Sequence, residues 1–267
     1  MFNPEPKLPI EQKNEIRIKL SQNLIDIEAS LDEIDALENQ SFEDYQILTR
    51  EMSEEMIKDR IKKERLWNFF VHISKESKFR PPQDRKVEIL DIACSVCEEK
   101  EVLHSFFGGE NNPYHNDNDN VSVTGIDIDN EAIELAKNNL PRNRENNFKF
   151  IIGDASNLEN IKEVPQSADV VFIRHQQMTQ PNYNKENIIE DDLWKKIINE
   201  GIKKLDTEGI LIITSYTDKE HEFLIDYLKT LNRNIKIISE GENGFSEQLG
   251  NGGIDKYYVL IRLQKEQ

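Results

Sequence analysis

Val87–Leu103 reads VEILDIACSVCEEKEVL, an apolar run that ends in an acid, passes through small residues and opens into a helical pattern. Val87, Ile89, Leu90 and Ile92 form a short, β-branched-rich run that fits a strand buried in a parallel sheet. Ala93, Cys94, Ser95 and Cys97 are all small. A ligand can therefore approach the backbone closely, and the first helical N–H groups stay free to meet its polar atoms. A second run, Val121 to Ile126, ends in Asp127. An acid at the tip of the neighbouring strand is where α/β folds hold a ribose diol, because one carboxylate accepts two hydroxyl hydrogen bonds. Together these features read as a nucleotide-type binding turn.

Outward from this turn the pattern alternates. Glu98 to Phe107 fits a crossover helix, followed by a loop rich in Asn, Asp and Gly over 108–120. Strands are expected over Val121–Asp127, Lys149–Ile152, Asp169–Arg174 and Ile210–Ser215, with helices over Glu131–Asn139, Asp191–Leu205 and Lys219–Leu231. Such alternation implies a parallel sheet with right-handed crossovers. Two last strands, Ile235–Ser239 and Tyr257–Leu263, are joined by the glycine-rich GENGFSEQLGNGG.

Upstream the pattern is helical. Leu20, Leu24, Ile27, Leu31 and Ile34 lie on one stripe, and Phe42 through Ile73 carry a second and third amphipathic helix to about Ser77. Pro81-Pro82 then punctuates a boundary. The chain divides on this reading into a helical extension over 1–82 and an α/β domain over 83–267. The extension fits a helical cap, with Trp67, Phe69, Phe70 and His72 near the site or in ordinary core, or else a homodimer contact through the first helix.

The motifs resemble those of class I S-adenosylmethionine-dependent methyltransferases. The family's first motif, acid-x-Gly-x-Gly-x-Gly, is matched by Asp91, Ala93, Ser95 and Cys97, with none of the three glycines present. GID (Gly125–Asp127), GDA (Gly153–Ala155), ADVVFIRH (Ala168–His175) and LDTEGILIITSY (Leu205–Tyr216) stand where the later motifs are expected. Ala93–Glu99 and IRHQ (Ile173–Gln176) look closest to the chemoreceptor glutamate O-methyltransferases. The resemblance implies a doubly wound, mainly parallel seven-stranded sheet of Rossmann-like methyltransferase type, ending in an antiparallel strand, with the helical extension ahead of it.

The resemblance also implies S-adenosylmethionine as cofactor. Its ribose would meet Asp127 beside Ile128, its methionine part would lie over the turn of Asp91, Ala93, Cys94 and Ser95, and its adenine would lie by Asp154 and Ala155. Glu98 and Arg174 are further cofactor-binding candidates. Methyl transfer from a sulfonium needs an in-line nucleophile and little else. His175 is the candidate base, since its free pKa lies near neutrality. Arg174 is the candidate for orienting a carboxylate acceptor bidentately, and Gln176, Tyr216 and Glu98 are the second-line catalytic candidates. A cofactor-binding regulatory domain that has lost turnover, or another nucleotide-dependent use of the fold, remains open at this point.

A net charge of −17 and a pI near 4.8 argue against nucleic acid or an anionic membrane as partner and favour a small-molecule or protein acceptor. Cys94 and Cys97 are the chain's two cysteines, spaced C-x-x-C. With no further cysteine and no paired histidines they read as small fillers of the turn, and no metal is expected. The cysteine content and the lack of a signal-peptide pattern point to the cytoplasm.

Overall fold

The computed structural model describes residues 54–109, 120–140, 146–174, 187–231, 235–249 and 252–264. The expected helices before Glu54 lie outside these residues, as do the 110–119 loop segment, His175 and Gln176.

The architecture is a three-layer α/β domain. Helix α1 (Glu54–Ser77) leads into β1 (Val87–Ile92), α2 (Lys100–Phe107), β2 (Val121–Asp127), α3 (Asn130–Asn138) and β3 (Phe148–Ile152). A 3-10 segment (Ala155–Asn160) precedes β4 (Ala168–Ile173), α4 (Asn187–Lys204), β5 (Leu205–Ser215), α5 (Asp218–Thr230) and β6 (Ile235–Glu242). A hairpin of β7 (Glu247–Leu249) and β8 (Gly252–Ile254) comes before the last strand, β9 (Tyr257–Leu263). The main sheet has the order β3-β2-β1-β4-β5-β9-β6. Strands β1 to β5 pair in parallel, whereas β9 runs antiparallel to both β5 and β6.

Chain order reverses at β1, which has β2 on one side and β4 on the other. In open α/β sheets such a switch point opens a crevice beyond the carboxyl ends of the strands. The turn after β1 sits there. Beneath it, Ile89, Leu90, Ile92, Ile126, Val171, Phe172, Ile173, Leu211 and Val259 are fully buried. Each such side chain contributes about 1.5–3 kcal/mol through removal from water. Strands covered on both faces explain the unbroken apolar runs in the sequence.

The end of α1 belongs to this packing. From Phe69 onward the chain forms one compact unit. Phe70 meets Phe107 and Phe172 at ring-centroid distances of 5.5 Å, and Phe69 meets Tyr258 at 5.8 Å. His72 Nε2 lies 2.9 Å from the Tyr258 hydroxyl. Phe69 and Phe70 are therefore core, which is the plainer of the two sequence readings.

Several boundaries differ from expectation for local reasons. Leu205 leaves the helix and opens β5, because it pairs with Ala168 of β4 before a register shift. Strand β6 continues past Ser239 to Glu242, since β9 offers partners as far as Tyr257. Within the glycine-rich linker the hairpin pairs Glu247 with Ile254 and Leu249 with Gly252.

Candidate functional site

Asp91 and Ile92 end β1, both fully buried, and the chain then reverses its backbone handedness three times. Ala93 (φ 56°), Ser95 (φ 49°) and Cys97 (φ 50°) are all left-handed, and none is glycine. These are the three positions at which the resembling family carries glycine. A non-glycine residue costs roughly 1–2 kcal/mol in this region, so the turn must be held by contacts elsewhere. Cys94 N–H donates to Ile126 O at 3.1 Å, Cys97 N–H to Cys94 O at 2.7 Å, and Ser95 N–H to Asp127 Oδ2 at 2.7 Å. The buried Lys100 Nζ donates to Cys97 O at 3.2 Å.

The neighbouring turn after β2 meets this one at close range. A Cβ on Gly125 would lie 2.8 Å from Cys94 Sγ and 2.9 Å from Phe150 Cδ1, so glycine is required where β2 passes the turn. Asp127 follows two residues later. Its Oδ1 accepts from Asp129 N–H at 2.9 Å, leaving each oxygen one lone pair for a ligand. Ile128 is 74% exposed beside it, and Ile152, directly across from Asp127 in the sheet register, is 47% exposed. An acid flanked by two exposed aliphatic residues at strand tips has the makings of a ribose and flat-ring site. Asp154 is exposed at the end of β3, where it caps the 3-10 segment by accepting from Ser156 N–H at 2.8 Å. Ala155 is buried.

A buried charge cluster supports the first turn. Arg174, just after β4, donates to Asp255 from Nη2 at 2.6 Å and from Nε at 3.1 Å, and to Glu99 from Nη1 at 2.8 Å. Asp255 is itself left-handed (φ 55°) and accepts from Thr214 Oγ1 at 2.7 Å. Burial works to lower the Arg174 pKa, but Asp255 and then Glu99 outweigh it and hold the guanidinium firmly charged. Its bidentate fork is thus filled by Asp255. That removes the sequence argument for an acceptor carboxylate oriented by Arg174.

Asp91 is fully buried, with Oδ2 receiving Cys97 Sγ–H at 3.1 Å and Oδ1 lacking a hydrogen-bond donor. Burial first, then the nearby Glu99 and Cys97, pushes its carboxyl well above the ordinary range. Burial likewise pushes the Cys97 thiol up. For Cys94, a hydrogen bond from Cys97 works downward, yet burial and the charges of Asp91 and Glu99 win and raise it. Neither thiol is in a disulfide.

Of the sequence candidates, Asp91, Ala93, Cys94, Ser95, Asp127 and Ile128 converge on the two adjacent turns. Tyr216 lies beyond the end of β5, its N–H bound to Glu220 Oε2 at 2.7 Å. Glu98 is exposed, whereas its neighbour Glu99 is buried and enters the cluster. Helical phase could have chosen between them, since Glu99 shares a face with the apolar Val102 and Leu103. Ile152 and Asp255 were also missed. Ile152 could have been found as the last residue of the third strand, but Asp255, in the glycine-rich linker, carried no signal.

A sheet of order β3-β2-β1-β4-β5-β9-β6 with one antiparallel strand, and acids at or near the tips of its first three strands, defines a class I methyltransferase domain. The match to the family model described as "Methyltransferase domain" extends over residues 83–261, and the chain belongs to that family, whose methyl donor is S-adenosylmethionine. A presumed rRNA methylase from Clostridium thermocellum shares the fold at 16% identity with a TM-score of 0.50, covering 73% of this chain and 94% of that one. An S-adenosylmethionine-dependent methyltransferase from Clostridium acetobutylicum ATCC 824 does so at 13% identity and a TM-score of 0.50, covering 83% and 99%. An rRNA methylase from Streptococcus thermophilus, at 13% identity and a TM-score of 0.47, covers 76% and 96%. No curated protein sequence matches the chain.

These neighbours correct the exclusion of nucleic acid drawn from net charge. The fold is shared with a presumed rRNA methylase, so a nucleic-acid acceptor is compatible with it. A net charge sums the whole surface and does not describe the patch around one site. Among the described residues no helix is long and apolar enough to cross a membrane.

Proposed function

We propose that this chain binds S-adenosylmethionine across the turns that follow β1 and β2 and transfers its methyl group to an N–H or O–H acceptor. When bound, the sulfonium supplies an electrophilic methyl carbon. Asp127 takes the ribose hydroxyls with its remaining lone pairs, Ile128 and Ile152 flank the adenine, and Asp154 and Ala155 border it. The backbone of Ala93 to Ser95 lies along the methionine part. His175, next in the chain after Arg174, accepts the proton released by the acceptor, and Tyr216 lines the acceptor side.

The observation that carries this reading is the turn itself. Ala93, Ser95 and Cys97 take the left-handed backbone that glycine would supply, so loss of the glycines is compatible with a retained binding shape. This weighs against the reading in which the domain only regulates a partner. Small molecules, protein side chains and RNA form the three arms of the acceptor screen.

Isothermal titration of the purified chain with S-adenosylmethionine and S-adenosylhomocysteine tests it. Micromolar or tighter binding is expected, weakened at least ~100-fold in Asp127→Ala, since two charge-assisted hydrogen bonds of about 1.5 kcal/mol each are lost. No binding by a chain that is folded by circular dichroism overturns the proposal. Where binding holds, His175→Gln should lower turnover on any accepted substrate while leaving cofactor affinity unchanged.

A further inference from the structure

The geometry points to a binding site for one soft divalent cation, zinc foremost, formed by Asp91, Cys94 and Cys97 beneath the first turn. One donor atom from each residue lies within 4.8 Å of the other two, and all three residues are buried. Tetrahedral zinc with Zn–S near 2.3 Å and Zn–O near 2.0 Å holds its donors roughly 3.3–3.8 Å apart, so small side-chain adjustments complete the site. Cys97 Sγ already stands 3.1 Å from Asp91 Oδ2. The second, independent observation is Asp91 Oδ1, a fully buried carboxylate oxygen with no hydrogen-bond donor. An acid so placed calls for a positive charge or a proton.

The surroundings strengthen the case. Glu99 adds its negative charge to all three donors. Arg174 pairs with Glu99 and Asp255 rather than with Asp91, and the Lys100 ammonium at this turn is bound to Cys97 O. Two thiolates and a carboxylate form a donor set suited to zinc rather than to magnesium or calcium. On binding, both thiols give up their protons to solvent, as does Asp91 if it holds one. The metal then bonds to two sulfurs and one oxygen, with its fourth position open to Glu99 or water.

Such a site would also serve the fold. The three donors span only seven residues, from the end of β1 through the turn, so the metal ties together the two ends of the strained segment. Metal binding would offset the cost of three left-handed residues that are not glycine. The inference rests on the turn alone and stands apart from the methyl-transfer reading.

The test uses the full chain, isolated without chelator and then stripped with EDTA. Mass spectrometry should find ~1 zinc per isolated chain, the stoichiometry of a single site. Cobalt(II) added to the stripped chain should give a thiolate-to-cobalt charge-transfer band, absent in Cys97→Ser. Asp91→Asn should weaken zinc by more than the ~10–100-fold that even an outer partner of a metal commands. Because these variants alter a buried cluster, the wild type supplies its own control: zinc should shield both thiols from a thiol reagent, and EDTA should reverse that. A folded chain with no cobalt–thiolate band and no zinc protection of its thiols overturns the site and leaves a proton on Asp91. Zinc retained in full by folded Cys97→Ser overturns it equally. S-adenosylmethionine titration of the stripped and zinc-loaded chain keeps failure of the metal separate from failure of cofactor binding.

Discussion

Two turns, seated side by side at the carboxyl ends of β1 and β2, solve the same problem by different means. The turn after β2 does so with local chemistry. Gly125 gives the clearance, Asp127 binds the backbone two residues on, and Asp129 caps α3 by accepting from Glu131 N–H at 2.9 Å and Ala132 N–H at 3.2 Å. The turn after β1 has neither a glycine nor a side-chain cap, and its local bonds are Cys97 N–H to Cys94 O and Lys100 Nζ to Cys97 O. Its three left-handed residues are Ala, Ser and Cys, and Glu99 starts α2 without a side-chain cap. It is otherwise held from outside by Asp127, Ile126 and the cluster around Arg174. A binding turn can therefore keep its backbone shape after losing the residues that make that shape cheap, provided the tertiary frame enforces it.

The sharpest way to break this difference is to remove the external frame. Arg174→Met should destabilise the domain by about 3–5 kcal/mol, because it leaves Glu99 and Asp255 buried without their cation. Denaturant unfolding at neutral pH reads the loss directly. A change under ~1 kcal/mol, the range of surface ion pairs, would mean that the cluster does not support the turn.

Next in size is a wedge between the two turns. Gly125→Ala sets a methyl group against Cys94 Sγ and Phe150, and overpacking of this kind costs about 1–3 kcal/mol. The substitution should also slow the reaction of Cys94 with thiol reagents in the native state, because the added methyl fills the space beside its sulfur. Unchanged stability would show that the turns are less tightly joined than their 2.8 Å clearance implies.

Asp91 separates the two regions by pH. Its folded pKa is raised above the ordinary 3.8, so its protonated form contributes stability that is complete below that value. The contribution is lost as pH climbs toward the raised folded value. In the metal-stripped chain, wild type should therefore lose stability relative to Asp91→Asn as pH rises above about 4. Paired thermal melts over that range decide it. A wild type that gains on the variant with rising pH would show that Asp91 is held ionised.

Asp129→Ala tests the local solution on its own ground. Loss of an N-cap that accepts two backbone N–H groups costs about 1 kcal/mol, and the effect should be confined to α3. Amide exchange should rise in the first turn of that helix and not in α2. Exchange that rises in both helices would mean that the second turn also depends on the first.

The same contrast explains what could be read from residue order. Strand tips at Asp91, Asp127 and Asp154 were legible because each ends an apolar run, a pattern that depends on neighbours in sequence. The mainly parallel seven-stranded sheet with its antiparallel last strand followed from strand–helix alternation and the family motifs. Arg174 was picked out, but its partners lie 75 and 81 residues away, and a fork reserved for an acceptor turned out to be filled from within. Glu99 was passed over for the exposed Glu98, although helical phase distinguished them. Leu205 looked like the end of an amphipathic helix because an apolar residue after a helical stripe has no local mark of strand pairing. The β7–β8 hairpin was hidden because glycine-rich segments support many turns without specifying one.

The smallest effect is the most informative about how the first turn is built. Ser95→Gly relieves a left-handed residue of a cost of roughly 1–2 kcal/mol, while glycine gives back about 0.4–1 kcal/mol through the freer unfolded chain. The net expectation is a gain of about 0.5 kcal/mol, with the Ser95 N–H still donating to Asp127. Cys97→Gly should not behave alike, because it also deletes a buried sulfur that donates to Asp91. Urea unfolding of the two variants under identical conditions separates strain relief from lost packing. If both variants destabilise the chain to the same degree, the side chain of Ser95 holds the turn as firmly as that of Cys97, and the external frame is not what fixes its backbone.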